Sequence, residues 1–292
     1  MITKAVIAAA GRGTRFLPVV KAYPKELVPI LSKPNIQYLV EEAIGAGITD
    51  IAIIIRAGET KIQNYFSPDE NLEKYLLENN KIEYLDSLKS IWSKAKINFI
   101  TQPENLPYGT GSPLLAAKDF VGSDPFVYMY GDDLTIEPIP GQFLTKMIAT
   151  FEKYQASEVI AVKDVGIEEI ARYGSAKYLN DSNYPNRISA MLEKLPTSEA
   201  PSTFAQGGRF VVNSKIFAIL EQQGLSRDGE LWFSDASNTL AKTDIVLTES
   251  FSKDEDWMTT GDPLRWLKAN ITLALQDPNL KDDLKSFFKT LK

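Results

Sequence analysis

Near the start of the chain two glycines, Gly11 and Gly13, are followed by Thr14, Arg15, Lys21 and Lys25, all directly behind the apolar run 5–9. Glycines after a strand allow a tight turn and a close approach of backbone to ligand, and guanidinium and ammonium groups suit a polyphosphate. The spacing is neither of the two familiar phosphate loops: a dinucleotide fingerprint needs a third glycine, and a P-loop needs Gly-Lys-Ser/Thr. Taken alone, "GRGTR" reads first as an ordinary glycine turn with solvated basic residues beside it. A second cluster, "YGDDL", puts Asp132 and Asp133 at the end of the apolar run 126–130. Neighbouring strand residues point to opposite faces, so one carboxylate is expected to enter a site beyond the strand while the other turns away. By itself such a pair also serves as a turn or a helix cap.

Composition narrows the chemistry further. The 292 residues include no histidine and no cysteine. That excludes catalytic triads, thiol nucleophiles, disulfides and the usual zinc sites, leaving carboxylates, Lys, Arg, backbone donors and a cation bound through oxygen. With 38 acidic against 32 basic residues the net charge is −6, and the basic residues are scattered. Small molecules are therefore the expected partners, with no nucleic acid and no membrane. Only Lys4 precedes a brief apolar segment that leads straight into glycine, unlike a secretory signal, so a cytoplasmic location is expected.

The elements that must position these groups alternate. Strands are expected over 5–9, 51–55, 97–101, 126–130 and 159–162, and between the first two Ile36, Leu39, Val40, Ala43 and Gly47 keep helical spacing. This predicts an α/β fold: a doubly wound, mostly parallel, Rossmann-like sheet with helices on both faces and ligands beyond the carboxyl ends of its strands. Residues 71–90, charged and leucine-spaced, are expected as one or two helices inserted before the third strand. Later strands are expected over 174–179, 187–193, 209–213 and 245–248, and helices over 263–275 and 280–291. No internal repeat or low-complexity linker divides the chain, so a single domain with a small annex is expected.

"GRGTRFLP", followed by "KAYPKELVPI" and "KPNIQYLVEEAIGAGI", resembles the N-terminal signature of the sugar-1-phosphate nucleotidyltransferases. Further pieces follow in that family's order over nearly the whole chain: "TQPENLPYGTGSPLLAAKDF", "YGDDL", "RYGSAKYL", "LEKLP", "GGRFVVNSKIF", "GELWFSDA" and "TTGDPLRWLKA". Their order is more specific than any one of them. The insert at 71–90 is similar to the uridylyltransferase branch, whereas the thymidylyltransferase branch generally lacks it.

The resemblance implies a transfer of the uridylyl group of UTP to glucose 1-phosphate, with Mg2+ as cofactor. A phosphomonoester has a second pKa of roughly 6, so near neutrality the sugar phosphate is largely a dianionic nucleophile and needs no general base. By match to the family motif, Arg15 and Lys25 would act on the triphosphate and Lys194 on the sugar's phosphate as the catalytic cations. Ala10, Gly11, Gly13, Thr14, Gln102 and Gly109 would bind the nucleotide, Gly174, Glu193, Lys194 and Glu230 the sugar, and Asp132 the metal. The nucleotide-binding part would span about 1–135, the sugar-binding part about 136–260 and C-terminal helices about 262–292. A homodimer or homotetramer is implied as well.

Two positions depart from the family. Trp232 stands where the uridylyltransferase branch typically has glutamine. Thr259 stands where the family commonly places a second metal-binding aspartate, and a hydroxyl is a poor substitute around a hard cation. A working transferase and a catalytically weak homologue that senses sugar nucleotides are both open at this point. So are a thymidylyltransferase specificity and the sugar itself, since glucose, galactose or an amino sugar needs the same phosphate machinery.

Overall fold

The computed structural model describes residues 1–90, 93–226 and 228–291. Its first half is built from β1 (Lys4–Ala9), the short β2 (Pro29–Ile30) and β3 (Lys33–Pro34), helix α1 (Asn35–Gly45), β4 (Asp50–Ile55), helices α2 (Lys61–Tyr65), α3 (Glu70–Glu78) and α4 (Ile82–Lys89), β5 (Lys96–Thr101), helices α5 (Gly111–Ala116) and α6 (Lys118–Val121), and β6 (Phe126–Tyr130). β1 and β4 are continuous apolar runs because both of their faces are covered. α1 buries Ile36, Leu39, Val40 and Ala43, the residues that carry its helical spacing. The charged insert forms two helices, α3 and α4, with Asp69 capping the first through its side chain.

The second half adds β7 (Asp133–Ile136), α7 (Gln142–Tyr154), β8 (Glu158–Asp164), β9 (Gly174–Tyr178), β10 (Ile188–Glu193), β11 (Phe204–Val212), α8 (Lys215–Gln222), α9 (Phe233–Leu240), β12 (Val246–Ser250), β13 (Asp256–Thr259), α10 (Pro263–Gln276) and α11 (Lys281–Phe288). One nine-stranded sheet runs β10-β9-β11-β6-β1-β4-β5, with β8 paired to β11 and β12 to β8. The four strands β6, β1, β4 and β5 are mutually parallel, as the βαβ alternation predicts. Antiparallel pairing enters at β11, which joins β6, β8 and β9. One face of the sheet is filled by a core containing Ile7, Leu39, Phe143 and Met147, the other by a core containing Val6, Tyr128, Phe210 and Phe233.

Since β1, β4, β5 and β6 run in one direction, the segments after their carboxyl ends gather on one edge: Ala10–Gly11, Arg56, Gln102 and Gly131–Asp132. A separate two-stranded ladder, β13 against β7, lies beside that edge and pairs Thr259 with Asp133. It shares a small apolar cluster with α10 through Leu134, Ile136 and Ala269. Sequence spacing did not anticipate this ladder, nor α7, α8 and α9.

Candidate active site

After β1 the chain makes three successive 3-10 turns, Thr14–Phe16, Val19–Lys21 and Lys25–Leu27. Gly13 has φ +62°, and a Cβ there would stand 3.1 Å from Lys25 Cβ, so the glycine answers both a left-handed backbone and a close approach. Phe16 is buried and pins the loop. The loop folds back so that Lys25 Nζ lies 2.6 Å from Asp132 Oδ2. Arg15 remains exposed, its Nη1 donating to the Gly261 carbonyl at 3.4 Å.

Asp132 follows β6 across Gly131, whose backbone N donates to the Ala8 carbonyl at 3.0 Å. A Cβ at Gly131 would collide with that same carbonyl, so glycine lets the end of β6 press onto β1. Burial disfavours charge on both partners of the ion pair, but each partner outweighs it: Lys25 is raised above the usual lysine range by Asp132 and Glu26, and Asp132 is held below the usual carboxylate range by Lys25 and, more weakly, by Arg15. Glu26 is fully buried with Oε1 3.9 Å from Lys25 Nζ, and burial pushes it up to about 7 against the pull of that lysine. Asp133 turns the other way, into the protein. Burial and the neighbouring charge of Asp132 push it up to about 7, while Arg209 pulls it down. Arg209 is itself fully buried, holding Glu42 through two nitrogens at 2.8 and 2.7 Å and donating to the Asp133 carbonyl at 3.0 Å.

Gln102 follows β5 directly, and its Oε1 is buried with no hydrogen-bond partner among the described residues. Gly109 has φ +129°, and a Cβ there would overlap the Leu231 backbone. Its glycine is thus fixed by packing, whatever else approaches. Leu231 N donates to the Tyr108 carbonyl and Gly111 N to the Leu231 carbonyl, both at 2.8 Å, and Phe233 N donates to Thr110 Oγ1 at 3.0 Å. These bonds sew segment 108–111 to segment 231–233.

Gly174 and Glu193 face each other in the β9–β10 register, where a Cβ at Gly174 would stand 3.2 Å from Glu193 Oε1. Lys194 leaves the strand with φ +47°, unusual for a residue with a side chain, and its backbone N donates to the Tyr173 carbonyl at 3.1 Å. Its ammonium lies 6.0 Å from the centre of the Trp232 ring.

A cavity of about 330 Å3 brings most of these groups together. Ala10, Gly11, Arg15, Lys25, Gln102, Gly109, Asp132, Lys194 and Glu230 all line it. Gly13, Thr14, Gly174 and Glu193 are not among the residues that line it. Gln102 is shared with a second cavity of about 610 Å3 beside Arg12 and Arg56, and Arg15 with a third of about 860 Å3 that Thr259 and Asp262 also line. Asp256 pairs with Lys163, and Asp262 caps α10 and pairs with Arg265. Sequence reasoning missed Glu26, Tyr108, Tyr128 and Tyr130. The tyrosines at 128 and 130 alternate with Phe126 in β6 and so share one face of the strand, a signal that was available. Glu26 had none, because its burial beside Gly131 and Asp132 brings together distant parts of the chain.

Among the described residues no three carboxylates stand close enough to cage a metal, and no helix is long and apolar enough to cross a membrane. The family model described as "Nucleotidyl transferase" matches residues 4–275. The chain is 37% identical over 290 residues to the UTP–glucose-1-phosphate uridylyltransferase of Bacillus subtilis (strain 168), covering 99% of this chain and 97% of that one. It is 38% identical to the protein of that name from Streptococcus pneumoniae serotype 4, covering 98% of this chain and 95% of that one. Among solved structures it resembles UTP-bound UGPase from Acinetobacter baumannii with TM-score 0.88, 32% identity and full coverage of both chains. It also resembles a UDP-glucose pyrophosphorylase complexed with UDP-glucose, with TM-score 0.83 and 30% identity over 95% of this chain and 100% of that one.

Proposed function

The chain belongs to the nucleotidyl transferase family, and we propose that it transfers the uridylyl group of UTP to glucose 1-phosphate, giving UDP-glucose and pyrophosphate. The observation that carries this reading is that one cavity holds an amide oxygen with no hydrogen-bond partner among the described residues, a cation–carboxylate pair, and a further ammonium and a further carboxylate that are not paired with each other. Those are the needs of a base, a triphosphate and a sugar phosphate. The names of relatives that match nearly the whole chain support the nucleotide and the sugar.

Gln102 Oε1 accepts the imide N–H of uracil, and its amide N–H2 donates to a ring carbonyl. Gly109 brings backbone to the base. Ala10, Gly11, Gly13 and Thr14 carry the loop along the ribose and phosphates, and Arg15 and Lys25 neutralise the triphosphate. At the acceptor, Glu193 and Glu230 take sugar hydroxyls, Gly174 leaves room beside Glu193, and Lys194 neutralises the attacking phosphate. An oxygen of that dianion forms a bond to the α-phosphorus while the bond to the β-phosphate oxygen breaks, and pyrophosphate departs with the electron pair. No proton moves, so a chain without histidine suffices; alignment and charge neutralisation do the catalysis.

Asp132 is the proposed Mg2+ ligand. It is half-buried, ionised and on the cavity wall, which suits a cation that takes one carboxylate from the protein and its other oxygens from phosphates and water. When bound, the metal supplies further neutralisation of the phosphates. We read residues 1–135 as the nucleotide-binding part, 136–260 as the sugar-binding part and 262–291 as a helical cap, in one domain; Lys292 lies outside the described residues. The reaction is read as cytoplasmic and the assembly as a homodimer or homotetramer.

A pyrophosphate-release assay crossing UTP, dTTP and other triphosphates with several sugar 1-phosphates tests the proposal. UTP with glucose 1-phosphate should give the highest kcat/KM. A clear preference for dTTP would defeat the uridylyl assignment, and similar rates for several sugars would remove glucose. Thr259 favours a second reading, a catalytically weak sugar-nucleotide sensor, which predicts binding of UDP-glucose without turnover in any combination.

A further inference from the structure

We propose that Trp232 is a positioning residue for the acceptor end of the cavity, fixing where the Lys194 ammonium and the Glu230 carboxylate stand for a hexose 1-phosphate; this rests on the roles proposed above for those two groups. Lys194 and Glu230 line the cavity and Trp232 does not, yet its indole meets both. The ring centre is 6.0 Å from Lys194 Nζ, and Nε1 donates to Glu230 Oε2 at 3.2 Å.

The two site residues come from different elements. Lys194 ends β10 in a left-handed turn, whereas Glu230 lies just before α9. Lys194 is exposed, and among the described residues no carboxylate lies within ion-pairing distance of its ammonium. A four-carbon stem in that setting keeps most of its rotamers unless something restricts them. An aromatic face attracts a cation at this range, and an indole N–H fixes one oxygen of a carboxylate. The indole can impose order because its own backbone is fixed: the Trp232 carbonyl accepts from Gln223 Nε2 at 2.9 Å, and Leu231 and Phe233 on either side are bonded to segment 108–111. Trp232 therefore ties the spacing of the two acceptor groups to the segment that carries Gly109.

Steady-state kinetics on full-length Trp232→Phe, Trp232→Gln and Trp232→Leu, each checked by thermal melting, test this. Trp232→Leu should lower kcat/KM for glucose 1-phosphate about fivefold, the upper scale of a solvent-exposed cation–π contact, and leave KM for UTP within about twofold. Trp232→Phe, which keeps a ring face, should recover a large part of the loss, and Trp232→Gln, which keeps only an N–H donor, should recover less. In a Lys194→Ala background the step from Trp232 to Leu should shrink, because the group it orders is gone. Equal losses toward both substrates, or full additivity with Lys194→Ala, reduce Trp232 to packing and overturn the proposal. Should Trp232→Leu not fold, the order of Phe above Gln decides, and the reverse order overturns it. A wild-type protein that turns over no pair of substrates removes the reading of the reaction together with this proposal; wild-type turnover with unchanged variants removes this proposal alone.

Discussion

Lys25 Nζ stands 2.6 Å from Asp132 Oδ2, so the proposed triphosphate cation and the proposed metal carboxylate neutralise each other in the free protein. A metal and an ammonium cannot both occupy that oxygen. Nucleotide phosphates are expected to resolve the conflict by drawing Lys25 away, and metal and nucleotide should then bind with positive coupling in both directions.

Removing the ammonium should then separate binding from turnover. Lys25→Met is expected to bind Mg2+ about tenfold more tightly than wild type when no nucleotide is present, the scale of one neighbouring charge. It should also lose roughly 10²–10³ in kcat, as when one charge-stabilising donor is removed. Calorimetric Mg2+ titration and steady-state rates measure the two effects. Equal Mg2+ affinity in variant and wild type would show that the ion pair does not compete with the metal.

Thr259 is the family departure that the structure makes concrete. Its Oγ1 lies 3.5 Å from the Asp132 carbonyl, and β13 pairs it with the buried Asp133. A carboxylate placed there meets acidic neighbours, so Thr259→Asp should melt lower than wild type without metal, be stabilised more by Mg2+, and reach half-maximal rate at a lower Mg2+ concentration. Asp256→Ala should leave the Mg2+ activation curve in place, since that carboxylate is engaged by Lys163. Asp262→Ala should also leave it in place while losing about 1 kcal/mol of stability with the α10 cap. A curve moved by either alanine variant would mean that its carboxylate reaches the metal after all.

The parts of this fold that were legible in the sequence are those fixed locally. β1 and β4 sit in the middle of the sheet with both faces covered, so they read as unbroken apolar runs, and α1 shows its buried stripe at helical spacing. The β7–β13 ladder was not legible: four residues on each side, more than a hundred positions apart, pair because α10 packs beside them. β11 begins at Phe204, earlier than its apolar pattern suggests, because Gly207 and Gly208 lie in a shifted register against β8. In the site, alternation separates Asp132 from Asp133, but which one lines the cavity depends on Gly131 pressing against Ala8, a contact between strands. The left-handed backbone of Lys194 left no trace in its own residue type.

Glu158 offers a pH test away from the site. It is fully buried, accepts from Ser237 Oγ at 2.9 Å through one oxygen and, among the described residues, has no partner for the other. Burial pushes its pKa up to about 8, well above the value in an unfolded chain. The folded state therefore holds the proton more tightly, and the stability linked to it is complete below the unfolded pKa of about 4.3 and lost as pH rises to about 8. Glu158→Gln keeps the acceptor for Ser237 and cannot ionise. Its melting temperature relative to wild type should rise steadily from pH 5 to pH 8 and level off above. A difference that stays flat over that range would mean that Glu158 is ionised in the folded protein.

The Arg209–Glu42 pair is expected to support, at a distance, Asp132, the proposed metal carboxylate. Both side chains are buried, the guanidinium grips Glu42 with two nitrogens, and the same Nη2 that reaches Glu42 also holds the Asp133 carbonyl at 3.0 Å, one residue after Asp132. Cutting one partner leaves a buried charge alone, so Glu42→Gln or Arg209→Met should each cost about 3–5 kcal/mol in denaturant unfolding. Replacing both, Glu42→Leu with Arg209→Met, removes the stranded charge and should recover much of that stability, because a buried pair and an apolar pair of similar volume differ little. Activity should not recover in parallel. With Arg209 gone the Asp133 carbonyl loses its tether and Asp132 its fixed place beside Lys25, so the double variant should need more Mg2+ for half-maximal rate. If stability and Mg2+ requirement both return to wild type, the pair serves the core alone and Asp132 is held in place by Gly131 and Lys25.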